Sequence, residues 1–412
     1  MPPTLKTCAI IGAGPAGLMA AERLAALGHT VTVYDRMPSA GRKFLLAGRG
    51  GLNLTHTDEP AQFMTQYREA SPWLKPMIDA FSPEALRDWC AGLGEDSFAG
   101  SSGRVFPKSF KASPLLRAWL RRLGSLGVNF RARHQWCGWD DTGALLFETP
   151  DAGRVAVKAD ATLLALGGAS WPKLGADGGW IPLLEAKGVE VAPLKAANAG
   201  VMVPWTALMK ERFAGAALKR MIATCNGRQA KGEAIVTQVG LEGGAIYALG
   251  PDIRQSLATD GEAIVYLDLR RDLSVHDLAE RLAKPRGKQS VSTWLHKAAG
   301  LAPAAIALFR EEAATGGKAP FDDPAAMAQL LKALPIYIRG MAGLERSIST
   351  AGGVALSELT DQLMLKRLPG VFVAGEMMDW EAPTGGYLLQ ACFSTAVMAA
   401  SGMAARLDGN LG

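Results

Sequence analysis

Three glycines in six residues, Gly12-Ala13-Gly14-Pro15-Ala16-Gly17, are the first place where residue types in this chain could do chemistry. They follow a four-residue apolar run at 8–11 and precede an alanine- and leucine-rich stretch at 18–27 with helical spacing. A short apolar run stopped by glycine reads as a buried parallel strand. Gly12 permits a tight turn, Gly14 lets the backbone approach a pyrophosphate, and Gly17 lets the helix pack closely on the strand. The helix N-terminus offers that pyrophosphate free N–H groups and the positive end of its dipole. Asp35 ends a second, β-branched strand at 30–34 and lies 21 residues beyond Gly14 (35 − 14). At that distance a carboxylate accepts hydrogen bonds from both hydroxyls of an adenosine ribose. The turn with Pro15 and Ala16, then Asp35 with its neighbour Arg36, form the expected site for the ADP half of a dinucleotide.

The residues after Asp35 bear on which dinucleotide. A chain that bound only NAD would go straight on to its next crossover helix. This one continues Gly41-Arg42-Lys43 and then Gly48-Arg49-Gly50-Gly51-Leu52-Asn53, a long glycine-rich loop with cations. Such a loop can lie along an extended cofactor, with Arg42, Lys43 and Asn53 on its middle part, and it is long for a plain surface connection. A second constellation stands near the C-terminus. An apolar strand at 370–374 runs into Gly375-Glu376, and Thr384-Gly385-Gly386 opens the last helix with Tyr387 and Leu388. Glycines ahead of a helix let its free N–H groups approach a ligand, and the dipole favours negative charge on the N1–C2=O side of a reduced flavin. Two glycine corners, one near each terminus, make FAD the expected cofactor. Between them, a strand at 161–166 ends in Gly167-Gly168, where small residues let the chain pass close to that cofactor. No second G-x-G-x-x-G exists, so NAD(P)H, as the expected donor, would dock transiently over the flavin face.

GAGPAG, GRKFLLAG and Asn53, with VFVAGEMMD and TGGYLLQACFSTA near the C-terminus, resemble the BaiN-type (YhiN-like) FAD-dependent flavoproteins. The resemblance covers most of the chain, is specific at both ends and is weakest in the middle. Where that family usually reads Ser-Gly-Gly-Gly-Arg-Cys-Asn, this chain reads Ala47-Gly48-Arg49-Gly50-Gly51-Leu52-Asn53, the mark of a divergent subgroup. The resemblance implies a glutathione-reductase-like, discontinuous Rossmann FAD domain with an inserted second domain. It implies adenine contacts from backbone near Gln135 and Trp136, and a ribitol contact from the acid after the late strand, here Glu376. It also implies a reductase of conjugated carbon–carbon double bonds.

The fold class read from these elements is α/β. FAD-domain segments are expected at 1–195 and 346–412, with an inserted domain of mixed strands and helices at 196–345. In that insertion, strands are expected at 200–203, 221–225 and 263–268, followed by helices at 275–283, 291–299, 303–314 and 324–333. Strands at 128–139 and 145–157 would flank a hairpin turn at 140–143, and 349–354 reads as a glycine turn. The segment 100–108 reads as turn-rich, and Arg104, Lys108 and the following Lys111 face either an anionic substrate or the pyrophosphate, or belong to a solvated loop before the next helix. Arg117, Arg121 and Arg122 share one face of a basic helix and read as solvated surface.

At 412 residues, 49% hydrophobic and 20% charged, the chain has room for two domains and an ordinary globular core. A net charge of +5 suits an anionic cofactor and is too mild to demand nucleic acid. The five cysteines are scattered and never C-x-x-C, which argues against a disulfide framework, a zinc site or a dithiol pair and for a reducing, cytoplasmic setting. The N-terminus runs directly into the first strand, and the apolar stretch 388–407 carries Gln390, Ser394, Thr395 and Ser401, so it reads as a buried helix. Of the five histidines only His56 is expected near the cofactor; Tyr387 and Tyr337 are alternative acids, and Trp380 lines either a pocket or the core. No catalytic residue is assigned. The expected function is an FAD-dependent oxidoreductase acting on a small organic substrate. The rival readings are a flavin-carrying RNA-binding or RNA-modifying protein and a flavin-bound sensor without turnover.

Overall fold

The computed structural model describes residues 6–315 and 321–409. The chain forms two compact units, Met1–Lys195 with Ser349–Gly412, and Ala196–Ile348. It re-enters the first unit at Ser349, three residues beyond the expected 346.

In the first unit, β1 (Thr7–Ile11) leads through the glycine turn into α1 (Pro15–Ala26) and β2 (Thr30–Asp35). Residues 8–11 of β1 are all buried, as a central parallel strand requires. The sheet has five parallel strands in the order Val371–Val373, Ala161–Leu164, β1, β2, Asn129–Ala132. Ile11 stands in register with both Tyr34 and Leu164, and Leu164 with Val373. The carboxyl ends of four strands therefore align along one edge. The turns after Ile11, Asp35, Leu164 and Val373 all leave from there, which is where open α/β sheets bind ligands.

The last helix, Tyr387–Leu407, packs on α1 and on the helix Ser71–Ala80. It is the one described helix long and apolar enough to cross a membrane, and 67% of its most apolar stretch is buried inside the protein. Two of its buried polar side chains share one partner: Gln390 Nε2 and Ser394 Oγ both donate to Phe81 O at 2.8 Å. Satisfaction of this kind is what lets polar residues sit in a core.

Three local expectations give way. The stretch 128–139 is two strands: Asn129–Ala132 joins the parallel sheet, the chain turns at Arg133 (φ 57°), and Gln135–Trp139 pairs with Leu145–Thr149 in a separate antiparallel sheet. The stretch 349–354 is a fully buried strand, Ser349–Val354. Its glycines serve close approach: a Cβ on Gly352 would lie 2.3 Å from Pro193 O, and one on Gly353 2.4 Å from Met377 O. The stretch 100–108 is a β-hairpin, Ser97–Ala99 with Arg104–Pro107, and Lys108 pairs with Asp96 at 2.9 Å.

The second unit is a seven-stranded antiparallel sheet. Its order is Leu334–Ile338, Ala263–Asp268, Ala217–Cys225, Arg228–Val236, Gly240–Glu242, Val201–Met202, Gly340–Met341. The four expected helices are present as Val275–Leu282, Val291–Ala299, Pro303–Thr315 and Pro324–Lys332. Three more, Ala207–Arg212, Gly244–Ala248 and Gly250–Asp260, precede the strand Ala263–Asp268, so the helices do not all follow the strands.

Candidate functional site

A cleft with about 1160 Å³ of empty space, partly open to solvent, lies along the carboxyl edge of the parallel sheet. Among the residues expected from sequence, Gly12, Gly14, Pro15, Ala16, Asp35, Arg36, Arg42, Lys43, Trp136, Gly167, Gly375 and Glu376 line it. Gly17, Asn53, Gly385, Gly386, Tyr387 and Leu388 do not.

The three glycines of the first turn do different work. A Cβ on Gly12 (φ 108°) would sit 2.3 Å from Ala165 O, and one on Gly17 would sit 1.9 Å from Gly12 O. Both positions are closed by the protein's own backbone. Gly14 has nothing within 4 Å of a Cβ and caps α1 without any side-chain hydrogen bond, so the first N–H groups of the helix face open space. Asp35 is fixed beside this turn: Oδ2 accepts from Ala13 N at 2.6 Å and Oδ1 from Met37 N at 2.7 Å. Burial pushes its carboxyl above the ordinary carboxylate range, against the pull of those two amides and of Arg36 and Arg42. The same cleft wall is crossed by an ion pair between Arg36 and Asp177.

The early and late segments of the first unit meet at the other end of the cleft. A Cβ on Gly375 (φ 82°) would be 2.9 Å from the Ala16 Cβ. Glu376 is buried; its Oε2 accepts from Lys43 Nζ at 2.7 Å and its Oε1 from Thr350 N at 3.0 Å. Lys43 Nζ also donates to Ser170 Oγ at 2.6 Å. Two buried polar atoms on lining residues, Arg42 Nε and Trp136 Nε1, have no hydrogen-bond partner within the protein. Buried donors of this kind call for an acceptor. An open helix N-terminus, a pinned carboxylate, two orphaned donors and a lysine–glutamate pair in one elongated cleft fit the ADP half and the ribitol of FAD.

A second cluster forms where the glycine loop meets the last helix. A Cβ on Gly386 (φ 105°) would lie 2.5 Å from the Thr55 backbone. Tyr387 Oη donates to Asp58 Oδ2 at 2.6 Å, and the His56 ring stacks on Tyr387 at 5.1 Å between centroids. Asn53 Oδ1 is buried without a partner. Trp380 belongs to the core, its Nε1 donating to Gly375 O at 3.0 Å, and Tyr337 lies in the second unit. Arg104, Lys108 and Lys111 do not line the cleft. Arg122 is no free surface cation: Nη1 donates at 3.0 Å to Glu22, a buried carboxylate that also accepts from Trp89 Nε1.

Sequence reading missed the stretch 174–180, whose Leu174, Gly175, Ala176, Asp177, Gly179 and Trp180 line the cleft. Its three glycines in five residues, 175–179, were the available signal. It also missed Ser170, Thr350 and Asp58, single polar residues that only the fold brings to their partners.

Known proteins are similar to this chain over nearly its whole length. A ribosomal RNA dihydrouridine synthase of Escherichia coli (strain K12) is 26% identical over 398 residues, covering 94% of this chain and 95% of its own length. A 3-dehydro-bile acid delta(4,6)-reductase of Clostridium scindens is 26% identical over 417 residues, covering 96% and 98%. Among solved structures, a 3-ketosteroid delta1-dehydrogenase from Sterolibacterium denitrificans superposes with a TM-score of 0.54 at 12% identity, covering 97% of this chain and 100% of its own, which is a likeness of fold. With a Rossmann-type FAD-binding sheet, a cleft at its carboxyl edge and a match running through residues 6–402, the chain belongs to the HI0933-like protein Rossmann domain family of FAD-dependent oxidoreductases.

Proposed function

We propose that this protein reduces a carbon–carbon double bond conjugated to a carbonyl in a small organic substrate, with FAD resident in the cleft and NAD(P)H as the donor. The cleft carries the reading: an uncapped helix N-terminus, Asp35 and the Lys43–Glu376 pair share one elongated cavity. When bound, FAD supplies the hydride chemistry. The chain does the holding. The first N–H groups of α1 take up pyrophosphate charge, and Asp35 accepts from the ribose hydroxyls. Arg42 Nε and Trp136 Nε1 gain the acceptors they lack. Glu376 keeps an acceptor for a ribitol hydroxyl while Lys43 neutralises it.

The reaction class draws support from two relatives. Forming dihydrouridine saturates a double bond conjugated to a ring carbonyl, and a Δ4,6-reductase acting on a 3-oxo steroid acid saturates bonds in the same conjugated setting. The test is anaerobic: the purified yellow protein is mixed with NADH or NADPH, and the bleached protein with a panel of enones. Bleaching followed by recolouring is the expected result. A flavin that neither nicotinamide reduces would overturn the donor and favour a sensor. A second reading keeps the chemistry and makes the substrate a uracil base in RNA; the E. coli relative and the charge of +5 favour it. Salt-dependent RNA binding, with two hydrogens gained per modified base, would decide for RNA.

A further inference from the structure

We propose that Tyr387, Asp58 and His56 form the proton-delivery chain of this reduction, an inference that rests on the functional reading above. The three side chains stand in series. Tyr387 Oη donates to Asp58 Oδ2 at 2.6 Å, and Asp58 Oδ1 lies 3.1 Å from His56 Nδ1. The far side of the imidazole, Nε2, lies 2.9 Å from Ser102 O. A carbonyl only accepts, so Nε2 carries a proton in every state of the ring. Nδ1 is then the atom that changes. When neutral it accepts from Asp58 N, 3.2 Å away; when protonated it donates to Asp58 Oδ1.

The surroundings are built to hold this ring. It stacks on Tyr387 with 24° between planes, and Gly103 (φ 80°) leaves room for it, since a Cβ there would be 2.4 Å from His56 Cε1. The charged groups facing the phenol are Asp58 and Arg104, and Tyr67 Oη donates to the Tyr387 carbonyl at 2.8 Å. Burial, and then the bond to Asp58 and its charge, raise the Tyr387 phenol above its ordinary value, with Arg104 opposing. A phenol so placed stays protonated at working pH. The His56 and Asp58 side chains keep 13% and 23% of their surface in contact with solvent, which gives the series an entry. On its other side Tyr387 opens the helix that also carries Cys392, a residue of the cleft wall.

The substrate's β-carbon gains a hydride whose electrons originate in NAD(P)H. Tyr387 Oη, turned from Asp58 toward the substrate by rotation about Cζ–Oη, gives its proton to the α-carbon. The phenolate regains a proton from His56 Nδ1 through the Asp58 carboxylate, and His56 is reloaded from water. The sum is substrate, NAD(P)H and one proton in; saturated product and NAD(P)⁺ out. Tyr387 is the catalytic residue, and Asp58 and His56 are positioning residues.

Rapid mixing of the FAD-loaded full chain separates the half-reactions. In Tyr387→Phe, reoxidation of the reduced protein by a conjugated double bond should slow at least about 100-fold. Reduction by NADPH, and reoxidation by ferricyanide, which protonates no carbon, should stay within about threefold of wild type on the same scale. His56→Ala should slow only the double-bond step, and added imidazole should restore it. Unchanged double-bond reoxidation in Tyr387→Phe, or an equal loss with ferricyanide, would overturn the relay while leaving the functional reading intact. Failure of the wild-type protein to be reoxidised by any conjugated double bond would overturn both.

Discussion

The two glycine corners of the first unit share a composition and differ in what fills the space a side chain would take. At the N-terminal corner, Gly12 and Gly17 are closed by neighbouring backbone, yet Gly14 between them opens on nothing within 4 Å. At the C-terminal corner, Gly386 is filled by the Thr55 backbone, and a Cβ on Gly385 would meet the Tyr387 ring at 3.1 Å. The first corner leaves out a side chain and keeps the space open, as the proposed pyrophosphate site requires. The second leaves one out to let two distant stretches of chain touch. A glycine motif therefore names a close approach without naming what approaches.

Substitutions separate the two uses. The largest loss of folding stability should come from Gly386→Ala, where positive φ and a 2.5 Å contact with Thr55 coincide; about 3 kcal/mol or more is expected, read by chemical denaturation of apoprotein. Gly14→Val should leave that denaturation curve nearly unmoved and yield colourless protein, with FAD affinity down at least about 100-fold by fluorescence titration. Yellow protein from Gly14→Val would break the contrast. Between the corners, Lys43→Met strands the buried carboxylate of Glu376, bonded at 2.7 Å in the native protein, and should cost about 2 kcal/mol in the apoprotein. Adding Glu376→Gln to it should recover most of that loss.

Asp35 gives a pH test with two opposite signs. Its carboxyl sits above the ordinary range because of burial. The folded apoprotein therefore binds this proton more tightly than the unfolded chain, and this group's contribution to stability is lost as pH rises through the raised value. FAD affinity should move the other way, weakening as pH falls through it, because a protonated Asp35 no longer accepts from both ribose hydroxyls. Asp35→Asn should flatten both trends. The smallest effect is expected from Arg36→Gln. Its pair with Asp177 has about a third of each side chain exposed, so apoprotein stability should change by less than about 1 kcal/mol.

Much of the cleft was legible from the chain because its residues are contiguous. Strand, glycine turn, helix, strand and acid follow one another within residues 7–35, and local patterning specifies each. Where glycine signalled contact and not a turn, the reading failed. Residues 349–354 form a buried strand because Gly352 and Gly353 lie against the backbone of Pro193 and Met377. The strand Arg228–Val236 escaped notice because its inward positions carry Ala230, Gly232 and Ala234, small residues with little strand propensity. The Tyr387–Asp58 bond joins residues 329 apart, and no spacing rule reaches that far.

The order of strands in the parallel sheet has a consequence for synthesis on the ribosome. Ala161–Leu164 is complete long before its partner Val371–Val373 exists, because 207 residues separate Leu164 from Val371 (371 − 164). At about 5–20 residues per second, the wait is roughly 10–40 seconds. Throughout it, an apolar β-edge has no neighbour on one side, and such edges recruit other chains. The nascent polypeptide is thus most exposed to aggregation late in translation, and a premature stop ahead of residue 371 would release a product with that edge permanently open.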